Sequence, residues 1–192
     1  MAVVDRRKQI IEAAEKSFAL FGYKATTMDQ VAKIANVAKG TIYTFFTNKE
    51  ELFDEILRSV ISEMKRISEQ DVREERSFFE NLYQSMDALL EFRTEHELLI
   101  KLFQEVRDFG TPQAREGLEK IEIAILSYLE NQLERAAHRG EIRGLDTKVT
   151  SFVLFRLYVA LTSDWNKNHE PLSQERIKEF IRMFLSGGLS PL

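Results

Sequence analysis

Thr26–Phe53 runs TTMDQVAKIANVAKGTIYTFFTNKEELF and holds two helix starts on either side of a tight turn. Thr27-Met28-Asp29-Gln30 has the form of a capping box, in which the threonine caps a new helix and Gln30 reaches back. Val31, Ala32 and Ala35 are the apolar positions of that helix, which lasts about two turns before Asn36. Asparagine tolerates the left-handed backbone of a tight turn. A second short helix follows through Thr41-Ile42-Tyr43-Thr44-Phe45-Phe46. Thr47-Asn48-Lys49-Glu50 repeats the box and opens a long helix, where Phe53, Leu57, Val60, Met64 and Ile67 recur at steps of four and three. Upstream, Ile10, Ile11, Ala14, Phe18 and Phe21 share one helical face, and Gly22 is placed to stop it. Two short helices joined by a tight turn and packed on a longer one make a helix-turn-helix.

The second short helix is too polar to be buried. Ile42 and Phe46 can turn inward, but Lys39, Thr41, Thr44 and Phe45 cannot all follow them. Hydroxyls and an amine of this kind suit a DNA major groove, where they meet phosphates or base edges. Tyr43 has an apolar body and a hydroxyl tip that could reach a phosphate, and Lys49 adds its charge to a helix amino terminus. The charge distribution agrees. The chain is acidic, with a net charge of −4, yet residues 1–49 carry Arg6, Arg7, Lys8, Lys16, Lys24, Lys33, Lys39 and Lys49 against only Asp5, Glu12, Glu15 and Asp29. A basic head on an acidic body implies that the head alone meets a polyanion.

These residues, with Phe18-Ala19-Leu20-Phe21-Gly22-Tyr23 before them, resemble the DNA-binding signature of the TetR family of transcriptional regulators. The resemblance covers about the first quarter of the chain. It implies that Lys39, Gly40, Thr41, Tyr43, Thr44 and Phe45 lie at or near DNA, and that Thr27 and Lys49 hold phosphates at helix starts. Three positions depart from the pattern. Asn36 stands where glycine is common, Ala38 replaces a frequent serine cap, and Phe45 stands where histidine or tyrosine is common. Loss of the cap costs about 1 kcal/mol in general. Phe45 suggests packing on a thymine methyl or a sugar rather than a polar contact.

Helical periodicity continues through the body, so the expected fold is all-α with about nine helices. A helix-turn-helix domain is expected over residues 1–48 and a helical sensing and dimerisation domain over 49–192. Gly110-Thr111-Pro112, Gly140 and Pro171 are breaks, while Asp146 and Ser173 are helix caps. From Phe152 to Leu161 the eighth helix is apolar all round except for Arg156, so it should be buried on every side. The ninth carries a wide stripe of Ile177, Phe180, Ile181, Phe184 and Leu185. The resemblance implies that these two helices form a four-helix bundle with a second copy, placing Phe152, Arg156, Phe180 and Phe184 in a two-fold interface. Such a dimer would set two recognition helices roughly 34 Å apart on an inverted-repeat operator. Aromatic stripes are usually core. The sharper expectation is an apolar pocket lined by Phe79, Tyr83, Phe103, Phe155, Tyr158 and Trp165, which would take a lipophilic or aromatic effector and release the protein from DNA. Arg156 would then either anchor an anionic ligand group or form an ion pair with protein.

Other functions find little footing. There is no cysteine, and His96, His138 and His169 lack a metal-ligand spacing, so neither a metal site nor catalytic residues are expected. No nucleophile elbow or glycine-rich phosphate loop occurs, and no cofactor is expected. The amino terminus lacks the apolar core of a signal peptide, and the longest apolar run, Leu157–Leu161, is too short for a membrane span, so a cytoplasmic protein is expected. The alternative to a ligand-responsive regulator is a DNA-bound adaptor that answers to a protein partner.

Overall fold

The first helix, α1 (Arg6–Ala25), begins where Asp5 accepts the backbone N–H of Lys8 at 3.1 Å. The computed structural model describes residues 5–70, 72–73 and 75–189, with only the backbone of residues 90, 94 and 184–189. Ile10, Ala14 and Phe18 are fully buried along α1, and Gly22 interrupts it at φ +81°, so the helix carries a kink before its last turn. Next come α2 (Met28–Ile34), α3 (Lys39–Tyr43) and α4 (Lys49–Gln70). Thr27 caps α2 by accepting the Gln30 N–H at 3.2 Å. Asn36 takes φ +50° in the turn, and Ala38 gives α3 no side-chain cap.

The box that opens α4 is displaced by one residue from its expected place. Asn48 is the capping side chain and accepts the Glu51 N–H at 2.8 Å, while Glu51 reaches back to the Thr47 N–H and hydroxyl, both at 2.7 Å. A carboxylate at the third helical position serves this geometry better than Glu50, whose carboxylate is engaged with Tyr23.

The remaining helices are α5 (Phe78–Glu95), α6 (Glu97–Phe109), α7 (Pro112–His138), α8 (Thr147–Val159) and α9 (Gln174–Leu189). Gly110 ends α6 in the left-handed region at φ +61°, and Pro112 starts α7, where its missing N–H costs nothing. Asp146 caps α8 through the Val149 N–H at 3.0 Å, and Ser173 caps α9 through Arg176. α8 runs on into a π-helical turn (Ala160–Asp164) and a 3-10 turn (Trp165–Lys167). There the Thr162 hydroxyl donates to the Tyr158 carbonyl at 2.8 Å, a local bond that competes with regular helix. Among the described residues there is no strand, and no helix is long and apolar enough to cross a membrane.

By packing, the chain falls into two units whose limits differ from the functional boundary expected between residues 48 and 49. One is Met1–Arg66 with Leu89–Ile121, the other Ile67–Ala88 with Glu122–Leu192. The first unit holds α1–α3, most of α4, and α6. Its interior includes Phe18, Ile42, Leu52, Ile56, Leu98 and Leu102, each at most 1% exposed. α7 approaches α4 so closely that a Cβ on Gly117 would lie 3.1 Å from the Phe53 ring. The second unit is built on Phe78, Leu82, Leu133, Ala136, Ile142, Leu154, Ile177 and Ile181.

The all-round burial expected of α8 is not reached within one chain, because its buried residues are Ser151 and Leu154 while Val149 and Phe152 are 56% and 48% exposed. Within one chain, the second-unit core takes only one face of α8.

Candidate nucleic-acid interface

The helix-turn-helix is assembled from below. The Gln9 side-chain amide donates to the Ala35 carbonyl at 2.7 Å and ties the end of α2 to α1. Ile42 and Phe46 seat α3, and Arg7 lies over the Phe46 ring while pairing with Glu55 on α4 at 2.7 Å. What remains of α3 faces outward. Lys39, Gly40, Tyr43, Thr44 and Phe45 are exposed, Thr41 is half-buried, and Thr27 is exposed at the start of α2. Tyr43 and Phe45 leave 46% and 40% of their surfaces open, a large apolar area for a helix of five residues and the turn that follows it. A Cβ on Gly40 would meet nothing, so this surface admits close approach by a large ligand. The Thr44 hydroxyl donates to the Thr41 carbonyl at 2.7 Å, which leaves its oxygen able to accept. The Lys39 ammonium pairs with Asp29 at 2.8 Å.

Lys49 is placed otherwise than a free phosphate ligand would be. Its amine donates to the Tyr23 carbonyl at 2.9 Å and the Thr26 carbonyl at 3.1 Å, and lies 4.2 Å from the centre of the Tyr23 ring. It therefore holds the carboxyl-terminal end of α1 against the start of α4, where a cation meets the negative end of the helix.

Tyr23 stands at the centre of a junction that periodicity does not reveal. Its hydroxyl donates to Glu50 at 2.6 Å, and its ring packs with Phe18 and Phe53. Its backbone N–H, with that of Lys24, donates to the carboxylate of Glu105 at 2.6 and 2.9 Å. Glu105 comes from α6 and is 5% exposed. It satisfies the two N–H groups that the break at Gly22 sets free, and glycine leaves room for it, since a Cβ there would collide with its Oε2. Burial, and next the bond to Glu50, push the Tyr23 hydroxyl well above the usual tyrosine range; the same bond is the main reason the Glu50 carboxyl falls below its own. Gly22 before an aromatic residue was the available hint, but nothing near it in sequence points to Glu105.

The residues proposed from sequence for a pocket are divided between the two units. Phe79, Tyr83 and Tyr158 pack against the second-unit core, and Phe155 is half-buried on α8. Phe103 belongs to the first unit, where it is 46% exposed with Arg93 over its ring. Trp165 stacks on His169 at 4.0 Å and donates to the Glu170 carbonyl, so its polar and aromatic contacts are local. Arg156 has protein partners within the chain, forming an ion pair with Glu122 and lying over the rings of Phe152 and Phe155. Phe152 and Phe180 are exposed, as are Val149, Val153 and Met183 on the same two helices. The side chain of Phe184 lies outside the described residues. His96 is half-buried near Glu15 on α1, at 3.7 Å, and packs on Phe92.

Comparison with known proteins agrees with this arrangement. Residues 10–56 match the family model described as bacterial regulatory proteins, tetR family. The "Uncharacterized HTH-type transcriptional regulator YhgD" of Bacillus subtilis is 49% identical over 187 residues, covering 97% of this chain and 98% of that protein. The "Fatty acid metabolism regulator protein" of the same species is 26% identical over 183 residues, covering 94% of each. Among solved structures, the transcriptional regulator FadR from Bacillus subtilis in complex with stearoyl-CoA superposes with a TM-score of 0.71 at 26% identity, over 95% of this chain and 99% of that one.

Proposed function

The chain belongs to the TetR family of bacterial regulatory proteins, and from that premise we propose that it is a ligand-released repressor that binds an inverted-repeat operator as a homodimer. The observation that carries the reading is α3 and the turn after it: a five-residue helix with one buried side chain, Ile42, and an outward surface of Lys39 and Tyr43 continued by Thr44 and Phe45. Such a helix is too short to stabilise itself, and its polar and aromatic side chains gain nothing from the core. On a duplex, the same side chains supply base-edge contacts and apolar packing, and Thr27 adds a hydroxyl at the start of α2. Lys49 acts in this scheme mainly by holding α1 to α4.

The dimer is supported by the open faces of α8 and α9, where Val149, Phe152, Val153, Phe180 and Met183 make an apolar surface that a second copy would cover isologously. The effector proposed is lipophilic, with a long-chain acyl-CoA thioester as first candidate. One relative is named a fatty acid metabolism regulator, and a solved relative holds stearoyl-CoA. The partly buried Phe79, Tyr83 and Tyr158 beside the second-unit core, and the π-helical turn that follows α8, suit an apolar chain. α4 is the proposed lever: it begins beside the reading head and extends to Gln70, and a ligand that prefers one body shape shifts the population towards it.

Selection from random duplexes with purified protein tests the reading. An inverted-repeat site is expected, weakened at least tenfold by Tyr43→Ala. Stearoyl-CoA added to that complex should release the DNA. Failure to enrich any sequence, even after bound lipid is stripped, would defeat the DNA-binding reading. An operator complex indifferent to acyl-CoA chains of every length would defeat the effector alone.

A further inference from the structure

We propose that Asp29 is a specificity-determining residue of the reading head, a carboxylate that withholds Lys39 from non-specific phosphate contacts and leaves it available to an uncharged base edge. This deepens the DNA-binding reading above and rests on it. Both carboxylate oxygens of Asp29 converge on one ammonium, Oδ1 at 2.8 Å and Oδ2 at 3.0 Å from Lys39 Nζ. Asp29 lies in the first turn of α2 and Lys39 opens α3, so the pair bridges the turn at Asn36. Lys39 and Tyr43 are one turn apart on α3, which places the pair beside the exposed tyrosine. The two side chains are 62% and 56% exposed, so the pair stands in solvent where a duplex would arrive.

An unpaired lysine on such a surface is drawn to any phosphate and strengthens binding to every sequence alike. A lysine already bridged to a carboxylate carries no net charge to the duplex. Exchanging that carboxylate for a phosphate trades one anion for another, and leaves Asp29 facing the polyanion unpaired. A guanine edge makes a different demand, because O6 and N7 are acceptors without net charge. An ammonium has three donors, so Lys39 can meet that edge while keeping Asp29. The carboxylate can in turn accept from the N4 amine of a cytosine. The pair thus matches the donor and acceptor pattern of a G·C pair and is mismatched to a phosphate.

The test uses the full-length protein, with Asp29→Asn, Lys39→Met and the double variant, on a random-sequence duplex and on the selected operator. Binding is followed from about 50 to 200 mM salt, where each neutralised phosphate adds about 0.9 to the log–log slope. Asp29→Asn is expected to tighten random-duplex binding and steepen its slope by about 0.9, and the operator gains less, so the specificity ratio falls. Lys39→Met alone is expected to leave the random-duplex slope unchanged while weakening the operator, and the double variant should lose the extra slope. An unchanged slope in Asp29→Asn would overturn the proposal, as would a slope reduced by about 0.9 in Lys39→Met, since Lys39 would then already neutralise a phosphate. So would Asp29→Asn binding both duplexes more weakly with a lowered melting midpoint, which would make the pair a brace between α2 and α3. A wild-type protein that selects no sequence defeats the parent reading first, before any variant is compared.

Discussion

Tyr23 engages its N–H, its carbonyl, its hydroxyl and its ring at once, with Glu105, Lys49, Glu50 and Phe53 as partners. The buried carboxylate of Glu105 is the costliest of these groups to leave half satisfied. Glu105→Gln keeps the volume but replaces one accepting oxygen with an NH2 group, so it should destabilise the protein by about 1–3 kcal/mol. Gly22→Ala should cost at least as much, because it adds left-handed strain to a steric clash with Glu105. Urea midpoints measure both, and midpoints equal to wild type would show that the junction contributes nothing. A pH dependence follows from the same cluster. Glu50 is held below its ordinary value of 4.5, chiefly by the Tyr23 hydroxyl, and Glu55 below the same value, chiefly by Arg7 and then Arg58. A carboxyl with a depressed value in the folded state stabilises fully above its unfolded value, and that gain is lost as pH falls through the folded one. The urea midpoint should therefore hold steady down to about pH 4.5 and decline below it. In Tyr23→Phe the midpoint should be lower at neutral pH and the acid decline shallower. An identical acid limb in that variant would show that the Tyr23–Glu50 bond plays no part.

At the scale of elements, short helices depend on their ends. Asp5, Thr27, Asn48, Asp146 and Ser173 each accept a backbone N–H at the start of a helix, but Ala38 cannot. Ala38 already has the extended backbone of a capping residue, at φ −65° and ψ 145°. Ala38→Ser should therefore stabilise the protein by about 1 kcal/mol without moving α3. Thermal or urea denaturation reads the gain, and a loss of stability would mean that the serine cannot reach the α3 amides. The box at α4 works in reverse. Glu51→Ala removes the acceptor for both the N–H and the hydroxyl of Thr47, so it should fray the start of α4 and lower stability by about 1 kcal/mol. The slip of that box from Thr47 to Asn48 shows the limit of motif reading. Thr-x-x-Glu and Asn-x-x-Glu both occur in the run, and the choice between them was made by Tyr23, which engages Glu50 from α1.

For the whole molecule, the open question is what covers α8 and α9. Phe152 and Met183 are 48% and 65% exposed. If a second copy covers them, Phe152→Glu and Met183→Glu should each shift the sedimenting species at micromolar concentration from dimer to monomer, because a charge buried without a partner is expensive. Operator binding should weaken with the loss of the second half-site, while the melting of the monomer should be nearly unaffected. A wild-type monomer in solution would remove the dimer from the proposal.

The nine helices among the described residues, their breaks and the helix-turn-helix were legible in the sequence because each is set within a few residues. Apolar spacing marks the inner face, a capping side chain acts on the third N–H beyond it, and Asn36 or Gly110 takes the left-handed turn locally. The outward residues of α3 and of the turn after it were legible for the same reason, since a short helix with Ile42 turned in turns Tyr43, Thr44 and Phe45 out. Contacts between distant segments were not. Glu105 meets Tyr23 across 82 positions in the chain. Lys49 finds the carbonyls at the end of α1, Phe103 falls in a different unit from the other five residues proposed for the pocket, and one face of α8 remains open. Local pattern determines which side of a helix is apolar, but which partner that side or a charged tip meets depends on how the helices pack, and that was decided only in three dimensions.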